Sequence, residues 1–322
     1  VIPEEAALLS KTEFIGFWRE IKNVLRSEAM KYRQLGLSDD GQTITLKKFH
    51  GIFKSPSYIN AEWLSENVGL LRRGAGVDVE TTGLDFEGQK IIEIAIRPFT
   101  YRSDNGEIIE VEEGYTGLED PGMPLTEEIT AITGLTDEML KDQKIDWQLV
   151  GQLIESVDLV IAHNAKFDRP FIDRSVASSR GKLWACSLSQ VDWSAKGFEI
   201  KKLGILSIFH GFFVDAHRAM NDVNAMINVL SHKDDQTGKT YLYELAHNAQ
   251  RYSVLVYADG SPFESKDRLR ENGYRWNTER RCWHRTVYAE ELENEIQWLE
   301  QNVYQGSFRG NLLKIPAVEN FA

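Results

Sequence analysis

Apolar positions recur at helical spacing near the start of the chain, where Phe14, Phe17, Trp18, Ile21, Val24 and Leu25 predict an amphipathic helix over residues 12–30. A polar, turn-rich stretch at 36–41 precedes a short strand-like run at 43–46. From residue 74 the period shortens, and residues 75–80, 91–97 and 107–113 read as three strands separated by turn-rich segments. Helices are then expected at 124–141, with Thr126 as the cap, at 147–156 and at 167–177, the last following a short apolar strand at 158–162. A strand at 184–187 and a strong helix at 216–230 complete this region. The helix carries Ala219, Val223, Met226 and Leu230 as its apolar stripe. Three meandering strands followed by alternating helices and strands predict an α/β fold with a mixed sheet.

Residues 233–238 form a polar break. Beyond it the pattern predicts a strand at 253–257, a short helix at 265–272, a strand at 282–287 and a helix at 289–303, with a partly mobile tail from Gln305. The expected organisation is an N-terminal helical and basic extension (1–73), an α/β domain (74–232), a linker or helix (233–250) and a small α+β module (251–322).

Composition is that of a globular chain: 322 residues, 42% hydrophobic and 27% charged. No run approaches the ~18 apolar residues of a membrane span, and no secretory signal is visible. Two widely separated cysteines, Cys186 and Cys282, build no disulfide framework. A cytoplasmic, reducing compartment is therefore expected. The net charge of −12 is unevenly spread: residues 1–74 carry +2, residues 75–250 carry −13 and residues 251–322 carry −1. An acidic centre suits a divalent-metal site, although solvated acidic surface is the commoner cause.

Three segments carry candidate chemistry. In the strand Val77-Asp78-Val79-Glu80, alternation turns both carboxylates to one face, where a divalent cation would offset their repulsion. An exposed edge strand is the plainer reading. His163-Asn164-Ala165-Lys166-Phe167-Asp168 follows an apolar strand, so Asp168 falls at a helix start just beyond the strand's carboxyl end. His163 there is either a base or a hydrogen-bonding residue. Asp222 lies beside the apolar stripe of the 216–230 helix and is partly buried, and His217 falls at that helix's entrance. Outside these, Lys47, Lys48 and Lys54 surround Phe49, His50 and Phe53, which suits either nucleic-acid contact or the edge of a small core.

In order, Asp78-x-Glu80-Thr81-Thr82-Gly83, His163-Asn164-x-x-Phe167-Asp168 and His217-x-Ala219-x-x-Asp222 resemble the DnaQ-like, DEDDh group of proofreading-type 3′–5′ exonucleases. The segments from Pro124 to Thr136, Trp184-x-Cys186-Ser187 and Lys202-Leu203-x-x-Leu206 extend the likeness across residues 74–230. The resemblance implies a ribonuclease H-like mixed β-sheet flanked by helices. It implies two Mg²⁺ or Mn²⁺ ions held by Asp78, Glu80, Asp168 and Asp222, able to activate a water and stabilise the leaving 3′ oxygen. His217 would take the water's proton, as an imidazole titrating near ~6.5 can. Thr81, Thr82, Leu84, Asn164 and Phe167 would contact the terminal nucleotide. The implied substrate is a 3′-ended or single strand, DNA in preference to RNA, and a polymerase or other protein partner is compatible with the group. Thr133 departs from the family, which often has a histidine there, and this bears on the nucleotide pocket. An RNA 3′-exonuclease and a non-catalytic nucleic-acid-binding or partner-docking protein are the competing readings.

In the small module, Lys266, Arg268, Arg270, Arg275, Arg280, Arg281 and Arg285 interleave with Tyr274, Trp276, Trp283 and His284. Cations neutralise phosphates and rings stack on unpaired bases, so a single-strand grip is one expectation. A tryptophan core is the other. The expected outcome is a mixture, with core tryptophans and arginines on one outward side.

Overall fold

The computed structural model describes residue 43, residues 45–215 and residues 217–322. The helix expected at 12–30 lies outside the described residues. The described chain opens with β1 (Lys47–Lys48) and α1 (Ala61–Asn67), and then the main sheet begins. β2 (Leu71–Thr81) and β3 (Ile91–Arg102) form a long antiparallel pair, and β4 (Ile108–Val111) and β5 (Tyr115–Leu118) both pair with β3. On the other side of β2 run β6 (Leu159–Ala162) and β7 (Leu183–Cys186), both parallel to it. The strand order is β4-β3-β2-β6-β7. This is a mixed sheet in the ribonuclease H-like α/β class.

Helices cover both faces, which is why β3 reads as a nearly continuous apolar run. On one face, α4 (Trp147–Glu155) and α5 (Ala165–Ser175) pack on Val77, Val79, Ile94 and Val160. On the other, α6 (Leu203–Phe209), α7 (Ala219–Ser231) and α8 (Tyr241–Ala249) pack on Ala95, Phe99, Leu159 and Ile161. The segment read as a linker or helix at 233–250 thus contains α8, whose Tyr241, Leu242 and Leu245 are buried in that same core.

Several local expectations need correction. The helix expected at 124–141 is two, α2 (Glu127–Thr133) and α3 (Asp137–Leu140). Gly134 enters the left-handed region at φ 68° and its N–H closes α2 on Thr130, while Thr126 caps as expected. An early strand falls at Lys47–Lys48, just past the expected 43–46, of which residue 44 lies outside the described residues, and it pairs with β8 (Phe212–Phe213). There Phe49 packs on Phe53 and Phe212, and Lys48 pairs with Asp215. That patch is the edge of a core.

The small module is a four-stranded antiparallel sheet in the order β10 (Arg275–Asn277), β11 (Cys282–Tyr288), β9 (Ser253–Ala258), β12 (Asn311–Ile315). Its helices are α9 (Lys266–Glu271) and α10 (Leu292–Leu299). The tail expected to be mobile supplies β12 against β9. It then returns to the main domain, where the Asn320 carbonyl accepts from Arg169 at 2.6 Å and Phe321 packs on the α5 side of the sheet. No described helix is long and apolar enough to cross a membrane.

Candidate active site

A glycine lets two elements close on each other at the site. On β2, Gly76, Asp78 and Glu80 share one face by alternation. A Cβ at Gly76 would stand 3.0 Å from Val223 and 3.1 Å from Met226 of α7. Without it, α7 settles against the strand and brings Asp222, one turn in from its start, beside Asp78. One carboxylate oxygen each from Asp78, Glu80 and Asp222 lie within 4.8 Å of one another.

Asp168 arrives from α5. β2 pairs with β6 only as far as Gly76, so the next inward N–H on that edge needs another partner. The Asp168 carboxylate supplies it, accepting from the Val79 N–H at 3.2 Å. Asp168 is buried, and its charge is felt at Asp78.

Crowding and burial push all four acids upward. Asp78 is held well above the ordinary carboxylate range, first by burial and then by the charges of Asp168, Asp222 and Glu80. Burial, followed by Asp222, lifts Glu80 to about 8. Burial lifts Asp168 to about 7 against the opposing Val79 N–H, and Asp222 to about 6 against His217. A set of hard oxygen donors this reluctant to ionise together fits a divalent cation, which supplies the missing countercharge.

His217 is exposed at φ 63°, a left-handed conformation that a non-glycine residue adopts at a cost of ~1 kcal/mol or more. Its backbone N–H donates to Asp222 Oδ2 at 2.9 Å, which ties the turn to the carboxylate cluster. Glu93 supplies a second tie. It is 1% exposed, pairs with Arg218 at 3.0 Å and accepts from the Ala219 N–H at 3.2 Å. Glu93 sits directly across from Glu80 on β3 and adds to the charge at Asp78. Reading the sequence missed it. Its signal was a lone acid in Ile91-Ile92-Glu93-Ile94-Ala95-Ile96, where every neighbour is buried.

The other candidates divide. His163 engages both ring nitrogens, with Ser187 Oγ at 2.8 Å and the Lys201 carbonyl at 2.9 Å, and burial holds it down to about 4. Both ring nitrogens are engaged, as the hydrogen-bonding reading expects. Thr81 donates to the Gly83 carbonyl, while Thr82 donates to Gln89 and accepts from the Lys90 N–H, so both hydroxyls serve their own turn. Leu84 projects from that turn, 87% exposed. Phe167 is half-buried against Phe171, and Asn164 is exposed at the start of α5. Thr133 is buried and bonded to the Ile129 carbonyl and the Leu135 N–H, so its hydroxyl stays within its own helix end.

Comparison with known proteins gives this arrangement a context. Residues 76–230 match a family model described as exonuclease. A DNA polymerase III PolC-type from Halalkalibacterium halodurans is 41% identical over 98 residues, which is 30% of this chain and 6% of the relative. The PolC-type polymerase of Staphylococcus aureus is 31% identical over 202 residues, 59% of this chain and 12% of the relative. The chain thus spans a small fraction of the length of these relatives. Among solved structures, the zinc-bound Escherichia coli ExoI–ssDNA complex is 15% identical with a TM-score of 0.47, over 67% of this chain and 63% of that one.

Proposed function

We propose that the chain, whose residues 76–230 match the exonuclease family model, is a cytoplasmic 3′–5′ exonuclease of the DnaQ-like kind, acting on DNA ends and releasing nucleoside 5′-monophosphates. The observation that carries this reading is the convergence of Asp78, Glu80 and Asp222 within 4.8 Å, with Asp168 buried alongside. Asp78, Glu80, Asp168 and Asp222 would hold two Mg²⁺ or Mn²⁺ ions. Bound there, such ions would acidify a water and neutralise charge developing on the phosphodiester.

The remaining roles fall to this chain's own residues. His217, exposed on a turn pinned to Asp222, is the group free to accept the water's proton, since His163 is locked by two hydrogen bonds. Leu84, projecting from the 81–90 turn, and Phe167, in the first turn of α5, would flank the terminal nucleotide. The preference for DNA rests on the relatives, which are DNA polymerases. Only 6% and 12% of those relatives are matched, so their polymerase activity is not carried over.

The test is digestion of 5′-labelled DNA and RNA oligomers with Mg²⁺ or Mn²⁺. The expected outcome is a 3′ ladder on DNA, lost on adding EDTA and lost in Asp78→Ala with the fold retained. Preferential laddering of RNA would move the assignment to an RNA 3′-exonuclease. Retention of the oligomer without cleavage would leave a binding protein.

A further inference from the structure

The small module stands at the end of the main sheet where a substrate would enter. Because β2, β6 and β7 are parallel, their carboxyl ends share one rim. That rim carries Asp78 and Glu80, the 163–168 segment and the loop after β7. The module meets the main domain on the same rim. In the loop after β7 the Gln190 carbonyl accepts from Asn248 at 2.9 Å, Asn248 in turn accepts from Arg251, and Arg251 lies 3.5 Å over the ring of Tyr288 on β11. The charge of Lys166, in the first turn of α5, reaches His284 on the same strand.

The surface turned this way has a definite chemistry. In register across β10, β11 and β9, Arg275, His284 and Tyr257 form one row on one face of the sheet. The Tyr257 ring lies 6.2 Å from His284, and Arg280 stacks on it at 3.8 Å. The hairpin joining β10 to β11 exposes Arg281 at its tip. Among the described residues, Lys166, Arg275 and Arg281 pair with no carboxylate, whereas Arg280 is held by Asp259 and Arg285 is drawn inward by Glu295. Arg285 and Tyr274 share that glutamate in the module's interior, so Arg285 leaves the outward basic set. Trp276 is 49% exposed at the hairpin edge, not a core residue.

We infer that this row, continued by Lys166, is a track for the single-stranded part of the substrate upstream of its 3′ end. Unpaired cations take phosphates, and the Tyr257 and His284 rings take bases without regard to sequence. Residues 75–250 carry a net −13, so cations without a carboxylate partner beside the site favour the approach of a polyanion there. The inference rests on the nuclease reading, and it names which part of this chain holds the strand.

The experiment separates the two. Fluorescence anisotropy of labelled dT20 in EDTA measures strand binding without turnover, for the full chain and for an Arg275→Ser/Arg281→Ser variant of matched thermal stability. The variant should bind on the order of tenfold more weakly, and the slope of log affinity against log salt should flatten by about 1.4, from two lost phosphate contacts at ~0.7 each. Unchanged affinity and slope would overturn the track. Labelled dT20, long enough to occupy any such track, is assayed in parallel with Mn²⁺. If the wild-type chain leaves it uncut, the nuclease reading fails, whatever the anisotropy shows.

Discussion

Asp78→Asn should make the cation-free chain more stable while abolishing its response to divalent metal. Asp78 lies within 4.8 Å of both Glu80 and Asp222, oxygen to oxygen. If all were ionised, each such pair would cost about 3 kcal/mol at an effective dielectric of ~20. Protonation caps that cost, because the acids hold protons that the unfolded chain has already lost. Stability without metal therefore falls as pH climbs from the ordinary carboxylate range through about 6, about 7 and about 8, the values of Asp222, Asp168 and Glu80, with Asp78 raised in the same direction. Removing one charge should recover about 1–3 kcal/mol above pH ~8, or roughly 3–8 °C in Tm for a domain of this size. Metal at ~100 times its Kd would stabilise the wild type by about 2.7 kcal/mol and the variant by almost nothing. Thermal unfolding of both chains by circular dichroism, at about pH 5 and about pH 8.5, with EDTA and then with Mn²⁺, reads all of this. The reasoning is refuted if the variant melts lower than wild type in EDTA at the higher pH, or if it keeps the full Mn²⁺ shift.

Three further expectations follow from the same geometry. His217→Ala should slow hydrolysis on the order of 10²-fold with calorimetric metal affinity preserved, and lost affinity would reassign the histidine as a ligand. Glu93→Gln keeps an acceptor for the Ala219 N–H but loses the charge that holds Arg218, so kcat should drop about tenfold with KM little changed; an unaltered kcat would show that the His217 turn needs no such anchor. Gly76→Ala should destabilise by about 1–3 kcal/mol through overpacking against Val223 and Met226, checked by urea unfolding, and should weaken Mn²⁺ binding as α7 is pushed outward.

The acids were legible because each sits where a simple period puts it. Asp78 and Glu80 alternate with buried valines, and Asp222 flanks a four-three-four apolar stripe. Most helices and strands of the main domain were legible in order for the same reason, although α6 went unread. β5 was not, since Tyr115-Thr116-Gly117-Leu118 is too short and too mixed to show a period, and its strand character comes from pairing with β3. The resemblance placed Thr81 and Thr82 at the nucleotide, and the fold adds that a turn between two long strands engages both hydroxyls. Glu93 hid because a single acid inside an isoleucine run reads as part of the strand. Only the fold shows that Arg218, 125 residues away, answers it.

Another contact between residues far apart in sequence aims Asp168. Its neighbour Arg169 is 1% exposed, bonds Asp173 within α5, the Arg180 carbonyl and the Asn320 carbonyl, and lies over the Trp184 ring. A buried guanidinium with that many partners has essentially one position, and successive helical residues are ~100° apart, so fixing Arg169 fixes the direction of Asp168. Residues 317–322 therefore contribute to the carboxylate cluster without touching it. They close the far side of α5 while Val79 receives Asp168 on the near side. The helix is held from both sides, which is what four mutually repelling carboxylates require if they are to keep their places before a cation arrives.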